Sequence, residues 1–186
     1  FITLARYKFA SRFFKKEHNV IDIGCGRGFG SVFLSDFCNH VIGADNDSEM
    51  IAFNSNEHKD VKNLNFKTVD LRSVDSSHIN KYDVVVSMDV IEHFEREEVN
   101  SVIRSHYDMI ADGGFAVIGT PNIASLEYAS YQRVNTHPFE FSPEEFEEEL
   151  NKVFKNVFVF SMTDESVSTQ FVKMSWYLMA LCTSYD

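Results

Sequence analysis

A cluster of glycines near the start of the chain could bind an anionic ligand. Residues 20–23, V-I-D-I, have the length of a short buried strand, and Gly24, Gly26, Gly28 and Gly30 follow them closely. Glycine lets the backbone turn sharply and lets a ligand approach it closely. A helix that begins at such a turn offers free backbone N–H groups to a carboxylate or a phosphate. The segment is therefore predicted to be a ligand-binding loop between a strand and a helix.

The spacing of these glycines differs from that of dinucleotide-binding loops. Those loops follow the pattern G-x-G-x-x-G or G-x-G-x-x-A, and counting from Gly24 places Phe29 at the third glycine position. Asp22, two residues before the first glycine, has no function in that class of loop. The sequence therefore disfavours an NAD-linked oxidoreductase, although this alternative stays open.

Acidic residues also stand at the ends of the next two predicted strands. Asp45 ends the second strand, about 20 residues beyond the glycines, where a carboxylate can accept hydrogen bonds from both hydroxyls of a ribose. In the alternative interpretation, Asp45, Asn46 and Asp47 are a polar turn before the next helix. Asp70 follows the third strand, and it is either a second ligand-binding acid or a plain loop aspartate.

A second group of reactive side chains follows the fourth predicted strand. Asp89, Glu92 and His93 lie in residues 87–94, which read S-M-D-V-I-E-H-F. Parallel α/β sheets bind their ligands beyond the carboxyl ends of the strands. Histidine exchanges a proton near neutral pH without special tuning, so His93 is a candidate general base. In the alternative interpretation, Glu92 and His93 only orient the loop through hydrogen bonds.

Three segments together resemble class I methyltransferases that depend on S-adenosylmethionine (SAM). The pattern D-x-G-x-G-x-G from Asp22 to Gly28 resembles motif I of this family. Residues 89–94 resemble a D-V-x-E-H-[LF] segment of many members that act on small molecules, and residues 135–146, which contain His137, resemble a segment common among bacterial members. The resemblance covers nearly the whole chain and implies SAM as the cofactor, with S-adenosylhomocysteine (SAH) as its product.

The resemblance also implies where SAM would lie. Asp22 would help to hold its amino-acid end, Asp45 its ribose and Asp70 the amine of its adenine, while Met50 would cover the adenine ring. The expected cofactor-binding residues are Asp22, Gly24, Cys25, Gly26, Phe29, Asp45, Asn46, Met50, Asp70, Leu71 and Met88.

The expected reaction is methyl transfer to a hydroxyl of a small molecule or glycan precursor. The sulfonium of SAM already activates the methyl group, so alignment dominates, and it can contribute on the order of 7–11 kcal/mol. A base adds roughly 10²–10⁴-fold when the acceptor is a hydroxyl. The expected catalytic residues are His93 as the base, with Asp89, Glu92 and His137. A non-catalytic SAM-binding subunit stays an alternative.

A further alternative is a divalent cation held by Glu92, His93 and His137. Metal-dependent methyltransferases of small-RNA 3′ ends, which modify the 2′-hydroxyl, carry E-x-x-E-H and a later loop histidine, and Asp89 stands here in place of the first glutamate. Mixed carboxylate and imidazole ligands can hold such an ion. The formal net charge of -11 disfavours a nucleic-acid partner, because an acidic protein repels phosphate backbones. The favoured interpretation therefore has neither RNA nor a metal.

The elements that must position these residues alternate between strand and helix. Strands are predicted at 20–23, 40–44, 64–69, 83–88, 115–119, 153–160 and 171–182. Helices are predicted near 4–14, 31–37 and 97–110, after Ser48 as an N-cap, and after Ser142 as an N-cap, while 112–114 is a turn. Such alternation favours an α/β fold with a mainly parallel sheet covered on both faces. The resemblance implies a Rossmann-like three-layer α/β/α sandwich, with a seven-stranded, mostly parallel sheet and an antiparallel last strand.

A long loop at 120–141 is expected to act as a lid, since loops of that length often bind ligands. Together with the N-terminal helix it is expected to form the acceptor pocket, and a plain surface excursion is the alternative. Four aromatic residues either line this pocket or pack in the core: Tyr128, Tyr131, Phe139 and Phe141.

Composition limits the class of protein. The 186 residues suit one domain, and a hydrophobic content of 44% excludes a disordered chain. Three cysteines do not make a disulfide framework, so a reducing cytoplasm is expected. The longest late apolar stretch, near 176–182, is too short to span a bilayer. The chain starts at Phe1 rather than methionine, so further residues are expected to precede it, and the oligomeric state stays open.

Overall fold

The fold is known from a computed structural model, which describes residues 2–73 and 81–184. The strands and helices alternate along most of the chain, as the sequence predicts. The strands are β1 (Asn19–Ile23), β2 (His40–Asp45), β3 (Leu64–Thr68), β4 (Tyr82–Met88), β5 (Ile110–Pro121), β6 (Asn156–Met162), β7 (Val167–Ser168) and β8 (Tyr177–Thr183). The helices are α1 (Ile2–Ser11), α2 (Phe29–Ser35), α3 (Ser48–Glu57), α4 (Val99–Asp108), α5 (Tyr131–Thr136) and α6 (Pro143–Asn151).

All the described strands join one sheet in the order β3-β2-β1-β4-β5-β8-β6-β7. The first five strands of this order are parallel, and β8 runs antiparallel to both of its neighbours, β5 and β6. The Rossmann-like α/β fold is confirmed, and so is the antiparallel last strand. The sheet has eight strands rather than seven, because a two-residue strand, β7, pairs with the end of β6.

The core lies on both faces of the sheet because neighbouring strand residues point to opposite sides. Ile21, Val85 and Ala116 belong to one buried cluster, while Val20 and Val84 belong to the other. Strands buried on both faces consist of continuous apolar runs rather than alternating ones. The triple valine of β4 is such a run, and each of its side chains is fully buried.

Two local predictions from the sequence are wrong. Asp47, not Ser48, is the N-cap of α3, because its carboxylate accepts the backbone N–H groups of Glu49 and Met50 at 2.9 and 3.0 Å. The predicted turn at 112–114 lies inside β5, which begins at Ile110. Gly113 has a φ of 77° there, and the pairing of β4 with β5 shifts register nearby. A bulge therefore absorbs the two glycines without ending the strand.

The last predicted strand is also shorter than expected. Phe171 has a φ of 55°, a short 3₁₀ helix follows at Val172–Met174, and β8 begins only at Tyr177. The capping of α6 is confirmed: Ser142 and Glu145 form a capping box, with Pro143 at the first helical position. Among the described residues, no helix is long and apolar enough to cross a membrane.

Candidate functional site

Two cavities open at the edge of the sheet where β1, β2, β4 and β5 end. The first has a volume of about 350 Å³ and lies beside the ends of β1, β2 and β3. The second has a volume of about 510 Å³ and lies between α1, α5 and the start of β8. Asp89 and His93 line both cavities. The two cavities therefore meet at the segment that follows β4.

The glycine loop closes one side of the first cavity. Gly24 has a φ of 69°, and a Cβ atom at this position would overlap the side chain of Val90. The loop is held to β2 by two bonds: Cys25 N donates to the Ala44 carbonyl at 3.0 Å, and Gly26 N donates to Asp45 Oδ2 at 3.0 Å. These two backbone N–H groups of the loop fix its shape by bonding to β2. The face of the loop that borders the cavity stays open.

Asp45 lies at the rim of the first cavity beside Asn46. Its two carboxylate oxygens accept different backbone N–H groups, Oδ2 from Gly26 and Oδ1 from Asp47 at 3.1 Å. Each carboxylate oxygen has a second lone pair. Asp45 therefore links the loop to β2 and can still accept hydrogen bonds from a ligand.

Asp22 is fully buried behind the glycine loop rather than exposed in the cavity. Its Oδ2 accepts the hydroxyl of Ser31 at 2.6 Å, and its Oδ1 has no hydrogen-bond partner among the described residues. Burial raises the pKa of Asp22 to about 7, against the opposing hydrogen bonds from Ser31 and Tyr7. This carboxyl group is therefore poised between its neutral and charged forms near pH 7.

Helix α1 packs over the site and sends two side chains towards it. The ring of Tyr7 lies against Gly30, where any Cβ atom would overlap it. The guanidinium of Arg6 forms an ion pair with Asp89 and lies 3.6 Å from the centroid of the Tyr177 ring. Arg6 lines the second cavity. The sequence predicts that this helix contributes to a pocket, but it does not single out these side chains.

Asp89 adopts a backbone conformation that is rare for a residue with a side chain. Its φ is 58°, and its N–H donates to the carbonyl of Gly119 at 3.0 Å. Strained conformations of this kind cost about 1–3 kcal/mol and persist only where the surroundings enforce them. The neighbouring strand β5 and the Arg6 ion pair together hold Asp89 between the two cavities.

Glu92 is a buried acid directly beneath the two histidines. Thr120 Oγ1 donates to its Oε2 at 3.1 Å, and its Oε1 has no partner among the described residues. Burial raises the pKa of Glu92 well above its ordinary value, and the charge of Asp89 raises it further. An unpartnered oxygen on a buried carboxyl is costly, so this atom is a candidate for contact with a ligand.

His93 and His137 stand ring against ring, 4.7 Å apart between centroids and nearly perpendicular. His93 Nδ1 lies 3.0 Å from the carbonyl oxygen of Thr136, and His137 Nδ1 lies 2.8 Å from Glu140 Oε1. A carbonyl and an ionised carboxylate only accept hydrogen bonds. In the neutral form of each ring, Nδ1 therefore carries the hydrogen and Nε2 keeps its lone pair.

Glu92, His93 and His137 also form a group that could hold a metal ion. One ligand atom from each lies within 4.8 Å of the other two. The two histidines have the hydrogen-bonded Nδ1 that metal-binding histidines usually show. The geometry thus permits the cation considered in the sequence analysis.

The structure brings some of the expected cofactor-binding residues together and leaves others outside. Those on the first cavity are Gly24, Asp45, Asn46, Asp70 and Leu71. Those that do not line it are Asp22, Cys25, Gly26, Phe29, Met50 and Met88. Phe29 points away, with its side chain exposed beside His58, because it begins α2 on the outer side of the loop.

The expected catalytic residues Asp89, His93 and His137 line the second cavity, and Glu92 lies buried next to them. The first cavity has five further lining residues that are not among the predicted site residues. They are Ile23, Val69, Arg72, Val90 and Phe94. Several of these are direct neighbours of the predicted site residues in the sequence. Their place just after a strand is the signal that could have identified them.

Of the four aromatic residues predicted either to line the acceptor pocket or to pack in the core, none lines the second cavity. Phe141 is buried in the core and Phe139 packs against it, because residues 137–141 return to the sheet beside Asn122. Tyr131 is exposed on α5, and Tyr128 stacks on Trp176 with ring centroids 5.7 Å apart. Trp176 itself lines the cavity, together with Tyr177 and Arg133. The segment at 120–141, expected to be a loop, contains a 3₁₀ helix (Ile123–Tyr128) and α5, with six residues each.

Comparisons with known proteins agree on one family. A family model described as "Methyltransferase domain" matches residues 4–153. The probable S-adenosyl-L-methionine-dependent methyltransferase TehB of Haemophilus influenzae is 36% identical over 100 residues, which are 53% of this chain and 34% of that protein. This chain therefore matches only about a third of the length of the first curated relatives.

Two solved structures share the fold over nearly the whole chain. The TehB-like SAM-dependent methyltransferase from Corynebacterium glutamicum has a TM-score of 0.71 at 21% identity, and the alignment covers 97% of this chain and 88% of that one. The N-methyltransferase NodS from Bradyrhizobium japonicum, solved with SAH, has a TM-score of 0.73 at 18% identity, with 99% and 85% covered.

Proposed function

This chain belongs to the family of methyltransferase domains and is a SAM-dependent methyltransferase, and we propose that it methylates a hydroxyl group of a small molecule or glycan precursor. The observation that carries the proposal is the meeting of the two cavities at Asp89 and His93. Methyl transfer needs a donor and an acceptor aligned a short distance apart. A donor in the first cavity and an acceptor in the second would meet where the two cavities share these lining residues. We further propose that the 186 residues act as a single domain.

The first cavity fits SAM in size and chemistry. Its volume of about 350 Å³ lies within the usual range of small-molecule sites, roughly 300–1,000 Å³. Asp45 retains lone pairs for two ribose hydroxyls, and Asp70 lies on the same cavity for an amine of the base. Gly24 lines the cavity, so a ligand there can approach the backbone of the glycine loop.

Residues outside the cavity lining take supporting roles in this proposal. Asp22 holds the start of α2 through Ser31, and in this proposal it acts on the amino-acid end of SAM by fixing the glycine loop from behind rather than by direct contact. Cys25 and Gly26 shape the loop through their bonds to β2. Phe29, Met50 and Met88 are not assigned a direct contact with SAM.

The second cavity supplies the acceptor side of the reaction. When SAM is bound, it supplies a methyl group already activated by a positive sulfonium. His93 lies at the junction of the cavities with Nδ1–H donated to Thr136, so its free Nε2 can take the proton of an acceptor hydroxyl. Asp89 orients the acceptor from the same wall, and His137 lines the cavity beside His93. Glu92, bonded to Thr120, supports the segment from beneath.

The first experiment is calorimetric titration with SAH, beside an Asp45→Ala variant and a titration with NADH. We expect wild type to bind SAH in the micromolar range and Asp45→Ala to weaken binding at least tenfold, about 1.4 kcal/mol. Asp112→Ala, an exposed acid on the inserted bulge of β5, is the matched control. Binding of NADH in place of SAH would contradict the proposal. SAH binding without turnover on any acceptor would favour the non-catalytic subunit.

The metal-binding geometry supports a second candidate, methyl transfer assisted by a divalent cation. Glu92 Oε1 is buried without a partner, and the lone pairs of His93 Nε2 and His137 Nε2 are free. An ion held there would lie beside Asp89 and could bind an acceptor hydroxyl and lower its pKa. The net charge of -11 still disfavours RNA as the acceptor, so a small polyhydroxyl molecule is the acceptor in this candidate as well.

The second candidate is tested by adding Mn²⁺ to protein dialysed against a chelator and following binding by electron paramagnetic resonance. Binding that His137→Ala and Glu92→Gln each weaken at least tenfold would support it. Binding that neither change affects would place the ion elsewhere and remove this candidate. Full activity after exhaustive dialysis against the chelator would also remove it.

A further inference from the structure

Helix α5 forms a wall of the second cavity although it is attached only lightly to the rest of the fold. Gln132, Arg133 and Thr136 of this helix line the cavity, and His137 follows directly. None of the six α5 residues, all within the described part of the chain, is buried. The wall therefore does not gain its position from the apolar packing that fixes most helices.

Polar bonds hold α5 in place instead. Arg133 donates two parallel hydrogen bonds to Glu140, from Nε to Oε1 and from Nη2 to Oε2, both at 2.6 Å. Its Nη2 also donates to Ser125 Oγ at 2.7 Å. The carbonyl of Thr136 accepts from His93. Bidentate pairs between arginine and a carboxylate are strong and fix geometry, so the Arg133 pair is the main anchor of the helix.

Glu140 joins this anchor to the reactive part of the cavity. Its side chain is 1% exposed, and its Oε1 accepts the Nδ1 hydrogen of His137 as well as the bond from Arg133. One buried carboxylate thus fixes the position of the helix and the orientation of the histidine ring.

We propose that Glu140 is a positioning residue that, through Arg133 and His137, forms the second cavity before an acceptor enters it. The proposal rests on the proposed function only in treating this cavity as the acceptor site. Neither α5 nor His137 contributes to the lining of the first cavity. Loss of Glu140 therefore disorders the second cavity and leaves the SAH site intact.

The decisive variant is Glu140→Leu. It removes the two bonds from Arg133 and the one from His137, and it leaves no unpaired buried charge, because Arg133 is 23% exposed and can turn to solvent. Lys152→Met is the matched control, since it breaks the surface pair with Glu149, and neither of these residues lines either cavity. The measurements are ¹⁵N spectra of the histidine rings, amide hydrogen exchange of residues 130–141, and titration with SAH.

In wild type, His137 and His93 are expected as Nδ1–H tautomers, because an acceptor bonded to Nδ1 keeps the hydrogen on that nitrogen and leaves Nε2 without one. In Glu140→Leu, we expect His137 to change to the Nε2–H tautomer, the amides of α5 to exchange at least tenfold faster, and the SAH dissociation constant to stay within twofold. Lys152→Met should match wild type in all three measurements. Unchanged tautomer and exchange in Glu140→Leu would overturn the proposal.

If Glu140→Leu does not fold, Arg133→Lys decides. Lysine keeps the charge but cannot make the two parallel bonds of arginine, so faster exchange of α5 supports the proposal and unchanged exchange overturns it. Failure of the proposed function would appear differently: wild type itself would not bind SAH, while the ring spectra and exchange rates would still report on Glu140.

Discussion

At the scale of single residues, the segment after β4 concentrates the chemistry of the site. Asp89 and His93 face both cavities, and Glu92 lies buried beneath them. The types and order of these residues could be read from the sequence, because the carboxyl end of a parallel strand is where ligands bind. Their partners could not, since Arg6 and Thr136 lie 83 and 43 positions away along the chain.

His93→Ala is expected to lower turnover by about 10²–10⁴-fold, the usual contribution of a general base. SAH should still bind, because Asp45 and the glycine loop are unchanged. The measurement is initial rate with an acceptor found by screening, at saturating SAM. Gln132→Ala, which alters the same cavity without removing a base, is the control. Nearly full turnover in His93→Ala would leave this residue with a structural role only.

Asp22 is expected to make the protein less stable as pH rises. Its pKa is about 7 in the folded chain, raised by burial from an ordinary 3.8, so between these values the unfolded chain releases a proton that the folded chain keeps. Linkage then lowers the free energy of unfolding as pH rises from about 4 to 7. Below this window the neutral carboxyl carries no such penalty.

Asp22→Asn should therefore gain stability relative to wild type between pH 4.5 and pH 8, by up to about 4 kcal/mol at roughly 1.4 kcal/mol for each pKa unit. Urea unfolding at the two pH values measures the difference, and the exposed Asp112→Asn is the control for surface charge. Parallel pH dependence of wild type and Asp22→Asn would contradict the burial of an acid with a raised pKa.

At the scale of elements, local signals predict the start of a helix but not always which residue caps it. The polar run at 45–48 offers several competent caps: the sequence predicts Ser48, whereas Asp47 makes both bonds in the structure. The loop at 120–141 could not be resolved from sequence for a different reason. Its course depends on distant partners, since Asn122 N donates to Trp176 O and Ile123 N donates to Phe141 O.

The N-cap of α3 gives a test at this scale. Asp47→Ala is expected to cost about 1 kcal/mol of unfolding free energy, the typical loss for an N-cap side chain. Ser48→Ala should cost much less, because Ser48 is already the first helical residue. Urea unfolding compares the two variants, and equal losses would mean that the cap is shared.

At the scale of the whole molecule, the alternation of the sequence predicts an α/β fold, and the family resemblance implies a mostly parallel sheet with an antiparallel last strand, but neither predicts the eighth strand. Alternating patterns with glycine turns specify a parallel α/β sheet, whereas a two-residue strand such as β7 has no pattern of its own and exists only through pairing with β6. Composition predicts the surface charge at this scale, since 28 acidic residues outnumber 17 basic ones.

This charge predicts weak binding of polyanions. A gel-shift titration with a single-stranded RNA of about 20 nucleotides at 150 mM salt should show no complex below roughly 10 μM protein, because too few phosphates would be neutralised. A basic single-strand-binding protein serves as the positive control. Tight RNA binding would favour the RNA form of the metal-dependent alternative over a small-molecule acceptor.

The position of β8 has a consequence for how the protein is made. This strand is the last of the described strands to leave the ribosome, yet it lies in the interior of the sheet, paired with β5 on one side and β6 on the other along seven residues each. Until it emerges, β5 has an open edge and β6 can pair only with the two residues of β7. Long-range pairings of this kind form slowly, and unpaired edges favour aggregation. A growing chain that has passed β6 is thus expected to depend on chaperones until Tyr177–Thr183 is available.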